Sequence, residues 1–219
     1  VLPNVKFCGI TRPEDAAAGV EAGAAYLGVV LAPSPRQVSV AQAASLVTST
    51  RGTRVPWVGV FTSADLETIA AAVGEIGLSV VQLHRMVPDH VIDDVTRETG
   101  ARVWCVGQID GSVVEAIEAA AAGRVETLLF DAAREGRSGG MGVSFDWARS
   151  QPVIERWRGR VRIGVAGGLT PENVTEAVQV LRPDIVDVSS GVEQSPGIKD
   201  HQRMRRFVER AHAAGRNDG

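Results

Sequence analysis

The sequence predicts a closed (β/α)8 barrel, and three observations predict it. Short β-branched runs alternate with amphipathic stretches from end to end. Eight such runs occur with no linker, low-complexity segment or shift of composition between them. The last two runs each empty into a small-residue turn that leads to a helix start, Ala166-Gly167-Gly168-Leu169-Thr170-Pro171 and Val188-Ser189-Ser190-Gly191. Short apolar strands alternating with helices call for a parallel sheet covered by the helices. Barrels of this kind usually need about 250 residues, so 219 residues make a compact one, read as a single domain over residues 1–219. A doubly wound open sheet is the competing architecture.

The expected strands are Val5–Ile10, Tyr26–Leu31, Val55–Phe61, Ser79–Leu83, Arg102–Val106, Thr127–Asp131, Val161–Ala166 and Asp184–Ser189. The expected helices are Pro13–Ala22, Val40–Val47, Ala64–Val73, Pro88–Glu98, Ser112–Ala121, Pro171–Leu181 and Asp200–Ala211. Phe145–Trp157 makes a poorer helix, interrupted by Pro152, which lacks the N–H that a helix interior needs. Thr11-Arg12-Pro13-Glu14 reads as a cap, then proline and an acid in the first turn. Thr170-Pro171-Glu172-Asn173 repeats that grammar, and Ser63-Ala64-Asp65 is a weaker instance. The tail Gly215–Gly219 is expected to fray.

Composition narrows the function classes. Hydrophobic residues make up 44% and charged residues 22%, ordinary for a globular protein. A net charge of −3 offers no basic field for nucleic acid. No apolar run approaches the roughly 20 residues that cross a membrane, and with a strand expected from the start of the sequence no signal peptide is expected. Cys8 and Cys105 lie in strand-like runs and read as a reduced pair, so a cytoplasmic protein is expected. Lys6 and Lys199 are the chain's two lysines. Neither is placed for a Schiff base: Lys6 lies deep in its strand and Lys199 beyond the last one. A monomer and a homodimer are both compatible with the sequence.

Glycine lets backbone approach a ligand closely, and the N–H groups that open a helix favour an anion. The turns after strands seven and eight of a barrel frequently form a phosphate site. Gly167 and Gly168 on one side, with Ser189, Ser190 and Gly191 on the other, are therefore the expected phosphate cradle. Reactive side chains belong at the C-terminal strand ends, where Cys8 closes the first strand, Gln82 and His84 the fourth and Asp131 the sixth. A thiolate and a carboxylic acid across one cavity suit proton transfer. Lys6 and Cys8 share a strand face, about 6–7 Å apart along it, so the ammonium is expected to favour the thiolate. A cysteine in an apolar strand is also ordinary packing, the role assigned to Cys105.

These residues occur in segments that resemble the phosphoribosylanthranilate isomerase family. The segments include Lys6-Phe7-Cys8-Gly9-Ile10-Thr11-Arg12-Pro13-Glu14-Asp15, Ser34-Pro35-Arg36, Val81-Gln82-Leu83-His84 and Leu129-Phe130-Asp131. Further on come Gly139-Gly140-Met141-Gly142, the seventh-strand turn through Val174, Asp187-Val188-Ser189-Ser190-Gly191-Val192-Glu193 and Pro196-Gly197-Ile198-Lys199-Asp200, all in family order. The resemblance implies an Amadori rearrangement of N-(5′-phosphoribosyl)anthranilate, a phosphosugar substrate, in tryptophan biosynthesis, with no cofactor or metal. It makes Asp131 the general acid, Cys8 the general base, and Arg36 the partner of the anthranilate carboxylate. Gln82 and His84 either line the pocket or serve as structural hydrogen-bonding groups. Three positions depart from the family pattern: Arg85 for glycine, Met141 for a small hydroxyl residue, and Val143 where a basic residue is frequent.

Overall fold

The computed structural model describes residues 2–63, 65–84, 88–108, 123–131 and 147–215. Eight parallel strands close into a barrel: β1 (Asn4–Phe7), β2 (Tyr26–Val30), β3 (Trp57–Phe61), β4 (Val80–Leu83), β5 (Arg102–Gln108), β6 (Thr127–Asp131), β7 (Arg162–Ala166) and β8 (Ile185–Val188). β8 closes the barrel onto β1 with Lys6 opposite Asp187 and Phe7 opposite Val188. The open-sheet alternative is thereby set aside. The helices α1 (Pro13–Glu21), α2 (Val40–Ser49), α3 (Leu66–Ile76), α4 (Asp89–Thr99), α5 (Trp147–Glu155), α6 (Val174–Leu181) and α7 (His201–Gly215) connect or follow the strands. After β8 come a 310 turn, Ser190–Val192, and a small antiparallel hairpin, β9 (Glu193–Ser195) and β10 (Ile198–Lys199). The expected helix Ser112–Ala121, the positions Ala64, Arg85, Met141 and Val143, the segment Gly139–Gly142 and the tail after Gly215 lie outside the described residues.

Strand alternation builds two cores. One set of side chains, including Val5, Phe7, Leu27, Val29, Phe61, Leu83, Phe130, Ile163 and Val186, packs against the helices in one continuous apolar cluster. The alternate set points into the barrel, where Tyr26, Val58, Val80, Trp104 and Ile185 form a floor. Tyr26 and Trp104 meet edge to face there, ring centres 4.8 Å apart. Val106, Leu129 and Ala166 form a separate interior cluster nearer the C-terminal strand ends. A barrel filled in this way is a packed core, which confines ligands to the loops at that end.

Several helix ends depart from expectation, α3 among them: it starts at Leu66 with no side-chain cap. At α1 the first turn carries Pro13, Glu14 and Asp15 as expected, but no side chain caps it; the Thr11 hydroxyl donates to the Gly197 carbonyl instead. α6 starts at Val174 rather than Pro171, because the Asn173 side chain accepts from the Thr170 N–H at 2.8 Å and holds residues 170–173 as a turn. α5 runs three residues past Pro152, so the proline removes one intrahelical hydrogen bond without ending the helix. α2 begins with a full capping box between Ser39 and Gln42. No helix among the described residues is long and apolar enough to cross a membrane.

Candidate active site

Cys8 follows β1 at the C-terminal end of the barrel, half-buried, its N–H donating to the Val188 carbonyl at 2.9 Å. Gly28 on β2 faces it: a Cβ there would stand 3.1 Å from Lys6 Cε and 3.4 Å from the Cys8 sulfur. The missing side chain gives the Lys6 stem and the thiol their room. Below them Lys6, fully buried, donates from Nζ to Asp187 Oδ2 at 2.7 Å. Burial works against the Lys6 ammonium, but Asp187, with help from Cys8, outweighs it and holds the lysine above its usual range.

Lys6 pulls Cys8 toward the thiolate as expected, but burial outweighs that pull. Burial pushes the thiol up, and the pull of the Lys6 ammonium toward thiolate is opposed by the Asp187 carboxylate. An ammonium already neutralised at 2.7 Å does not leave the field of a free cation beside it. Asp187 is an interior residue that sequence reasoning missed. Its position opposite Lys6 in the closing strand pair could be found only by knowing the register.

Asp131 closes β6 on the same parity as Leu129, an interior residue, so it faces the barrel interior at the C-terminal end of its strand. His84 follows β4, and its Nε2 lies 3.5 Å from Asp131 Oδ2. The bond to Asp131 raises the His84 pKa, partly offset by burial. Gln82 is buried, two residues deeper, and its Oε1 has no hydrogen-bond partner among the described residues. His84 thus stands beside Asp131 at the C-terminal end of the barrel, with Gln82 buried one layer beneath it. Cys105 packs outward among apolar side chains, and burial pushes its thiol up to about 12.

Arg36 sits in the loop after β2 with its stem over Gly9, where an added Cβ would meet Arg36 Cδ at 2.6 Å. Its Nε and Nη2 donate to the two oxygens of Glu193, at 2.8 and 2.7 Å. Glu193 also accepts from Lys199 Nζ at 2.8 Å. Burial opposes ionisation of Glu193, but Arg36 and Lys199 together hold its carboxyl below the usual range.

The two glycine turns come together. A Cβ on Gly191 would fall 1.8 Å from the Leu169 carbonyl oxygen, so the turn after β8 lies backbone to backbone against the turn after β7. Gly167 and Gly168 both have positive φ, 86° and 68°, and a Cβ on Gly168 would meet nothing within 4 Å. Asn173 braces this turn from behind by donating to the Gly168 carbonyl at 3.0 Å. Ser190 and Gly191 open the 310 turn, so their N–H groups have no partner within it. Ser189 leans toward β1: its hydroxyl oxygen lies 3.1 Å from where a Gly9 Cβ would stand.

Every sequence-predicted site residue therefore stands at one end of the barrel, Gln82 one layer below the rest. The arrangement offers a thiol, a carboxyl–imidazole pair, a guanidinium held by Glu193 and two glycine turns packed backbone to backbone. Among the described residues no group of three or more His, Cys, Asp or Glu side chains could hold a metal ion.

Comparison with known proteins agrees over nearly the whole chain. The family described as N-(5′phosphoribosyl)anthranilate (PRA) isomerase matches residues 5–210. The N-(5′-phosphoribosyl)anthranilate isomerase of Myxococcus xanthus is 42% identical, covering 95% of this chain and 95% of its own. A crystal structure of phosphoribosyl anthranilate isomerase from Thermotoga maritima superimposes with a TM-score of 0.84 at 34% identity, over 97% of this chain and 100% of that one. Another, in complex with reduced 1-(o-carboxyphenylamino)-1-deoxyribulose 5-phosphate, gives 0.81 at 33% identity, over 97% of this chain and 100% of that one. The chain belongs to the N-(5′-phosphoribosyl)anthranilate isomerase family.

Proposed function

We propose that this chain isomerises N-(5′-phosphoribosyl)anthranilate to 1-(o-carboxyphenylamino)-1-deoxyribulose 5-phosphate, in tryptophan biosynthesis, by general acid and base catalysis. Asp131 in its acid form gives a proton to the furanose ring oxygen, the C1′–O bond breaks, and the nitrogen lone pair forms the Schiff base. Cys8 as thiolate then takes the C2′ proton, and those electrons neutralise the iminium to give an enolamine. Tautomerisation to the ketone, with a proton delivered to C1′, completes an isomerisation with no net change in atoms. His84, next to Asp131, is placed to exchange a proton with that carboxyl.

Arg36 faces the anthranilate carboxylate, a planar group that matches a guanidinium edge. Gly167, Gly168, Ser189, Ser190 and Gly191 hold the phosphate at the paired turns. Binding the two charged ends of the substrate fixes the sugar between them, where acid and base converge. A cytoplasmic protein, monomeric or homodimeric, is part of the same proposal.

One observation carries the reading: the thiol after β1, the carboxyl of β6 and the backbone-to-backbone turns after β7 and β8 share one barrel end. The test generates the substrate in solution and follows the change in anthranilate fluorescence as it is consumed. Turnover by the purified chain is expected. A folded chain that binds the substrate without converting it would leave a binding protein and sink the proposal.

A further inference from the structure

We infer that Glu193 and Lys199, which play no part in the proton transfers, are the positioning residues that set Arg36 for the substrate carboxylate and tie it to the backbone of the base. The inference rests on the proposed substrate.

The hairpin β9–β10 pairs Lys199 with Glu193 and lies across the end of β1, where the Gly197 carbonyl accepts from Thr11. Both side chains are hidden, 4% exposed for Glu193 and 0% for Lys199, whereas Arg36 is 21% exposed. The Lys199 ammonium has three hydrogens and three acceptors: the Cys8 carbonyl at 2.6 Å, the Ser189 carbonyl at 3.2 Å and Glu193 Oε1 at 2.8 Å. One buried cation thus pins the backbone of the base, the turn after β8 and the carboxylate that grips Arg36. Asp15, also buried, fixes the lysine's own backbone by accepting its N–H at 3.2 Å.

Glu193 takes the Nε–Nη2 edge of Arg36. A guanidinium held along that edge presents its other edge, Nη1 and the second Nη2 hydrogen, in a fixed plane. Nη1 has no partner among the described residues. Without Glu193 the side chain regains its rotamers, and a carboxylate would have to order it on binding. The glutamate therefore acts on substrate affinity through the arginine.

The probes are two stable analogues, reduced 1-(o-carboxyphenylamino)-1-deoxyribulose 5-phosphate and the same molecule with phenyl in place of o-carboxyphenyl, titrated into the whole protein by calorimetry. Glu193→Gln keeps the shape and removes the charge. It should weaken the carboxylated analogue about tenfold, the scale of one charge-assisted hydrogen bond, and leave the phenyl analogue within about twofold of wild type. Glu193→Asp keeps the charge but not the reach, so it should show the same selective loss, and it decides the matter if Glu193→Gln does not fold. In an Arg36→Ala background, Glu193→Gln should add nothing. Equal loss for both analogues, or loss for neither, overturns the positioning role. Wild type that binds neither analogue overturns the substrate proposal and this inference with it.

Discussion

Gly191→Ala puts the proposed phosphate site at the paired turns to a quantitative test. The added methyl would stand 1.8 Å from the Leu169 carbonyl oxygen, 2.9 Å from its carbon and 3.1 Å from Thr170 Cα. All three are backbone atoms, so no side chain can swing away. The turns after β7 and β8 must separate by about 1.2 Å to bring the closest contact even to 3.0 Å. Overpacking of this kind costs about 1–3 kcal/mol, or roughly 2–12 °C of Tm for a chain of this size. The larger effect falls on function, because a misplacement of about 1 Å can cost about 100-fold in rate. Thermal unfolding and the fluorescence assay, run on one preparation, should show a modest fall in Tm and a large fall in kcat/KM. Wild-type values for both would refute the backbone-to-backbone packing from which the proposed phosphate site is built.

Lys6→Met leaves the Asp187 carboxylate buried without its ion partner and should cost about 3–5 kcal/mol in urea unfolding. The same variant should move the Cys8 titration, read by thiolate absorbance, further up, with Cys105 silent because burial has pushed it to about 12. In the wild type, kcat/KM should rise with pH beyond the ordinary thiol range, since burial raises the Cys8 pKa; a plateau below pH 8 would contradict that. Stability toward acid follows Asp15 and Glu193, whose folded pKa values lie below their unfolded ones. Their contribution is complete above the unfolded carboxylate range and is lost as pH falls through the depressed folded values. A loss of stability already complete at the ordinary carboxylate range, about pH 4, would count against both pairings. Ser39→Ala removes one side of the capping box and should cost about 1 kcal/mol in thermal unfolding, with turnover unchanged.

Alternation carried the fold because it is local, whereas the caps read at Thr11, Ser63 and Thr170 do not form as side-chain caps. Thr127–Asp131 is a strand with the expected bounds, and the remaining barrel strands differ by a few residues. The first strand was expected to reach Ile10 but ends at Phe7, since Gly9, at φ 72°, turns the chain out of the sheet. The rule that reactive side chains belong at C-terminal strand ends singled out Cys8 and Asp131, and both stand there. Partners across the barrel were not legible, because periodicity says which way a side chain faces and nothing about what it meets. Lys6 with Asp187 and Arg36 with Glu193 are joined over separations of 181 and 157 residues. For Cys8 the lysine was correctly placed and pulls toward thiolate, but the burial that outweighs it, and the Asp187 counter-ion that adds to that, were unseen. Lys199 shows the same limit, since a residue beyond the last strand folds back beneath the site on a hairpin that no apolar pattern announces.

The measurement that bears most directly on the account compares Cys8→Ser and Asp131→Asn with the wild type, in turnover and in affinity for the reduced product analogue. General acid or base groups contribute about 100- to 10,000-fold, so each variant should lose at least 100-fold in kcat while binding the analogue as the wild type does. Turnover near the wild-type rate in either variant would show that the thiol and the carboxyl do not act on one sugar.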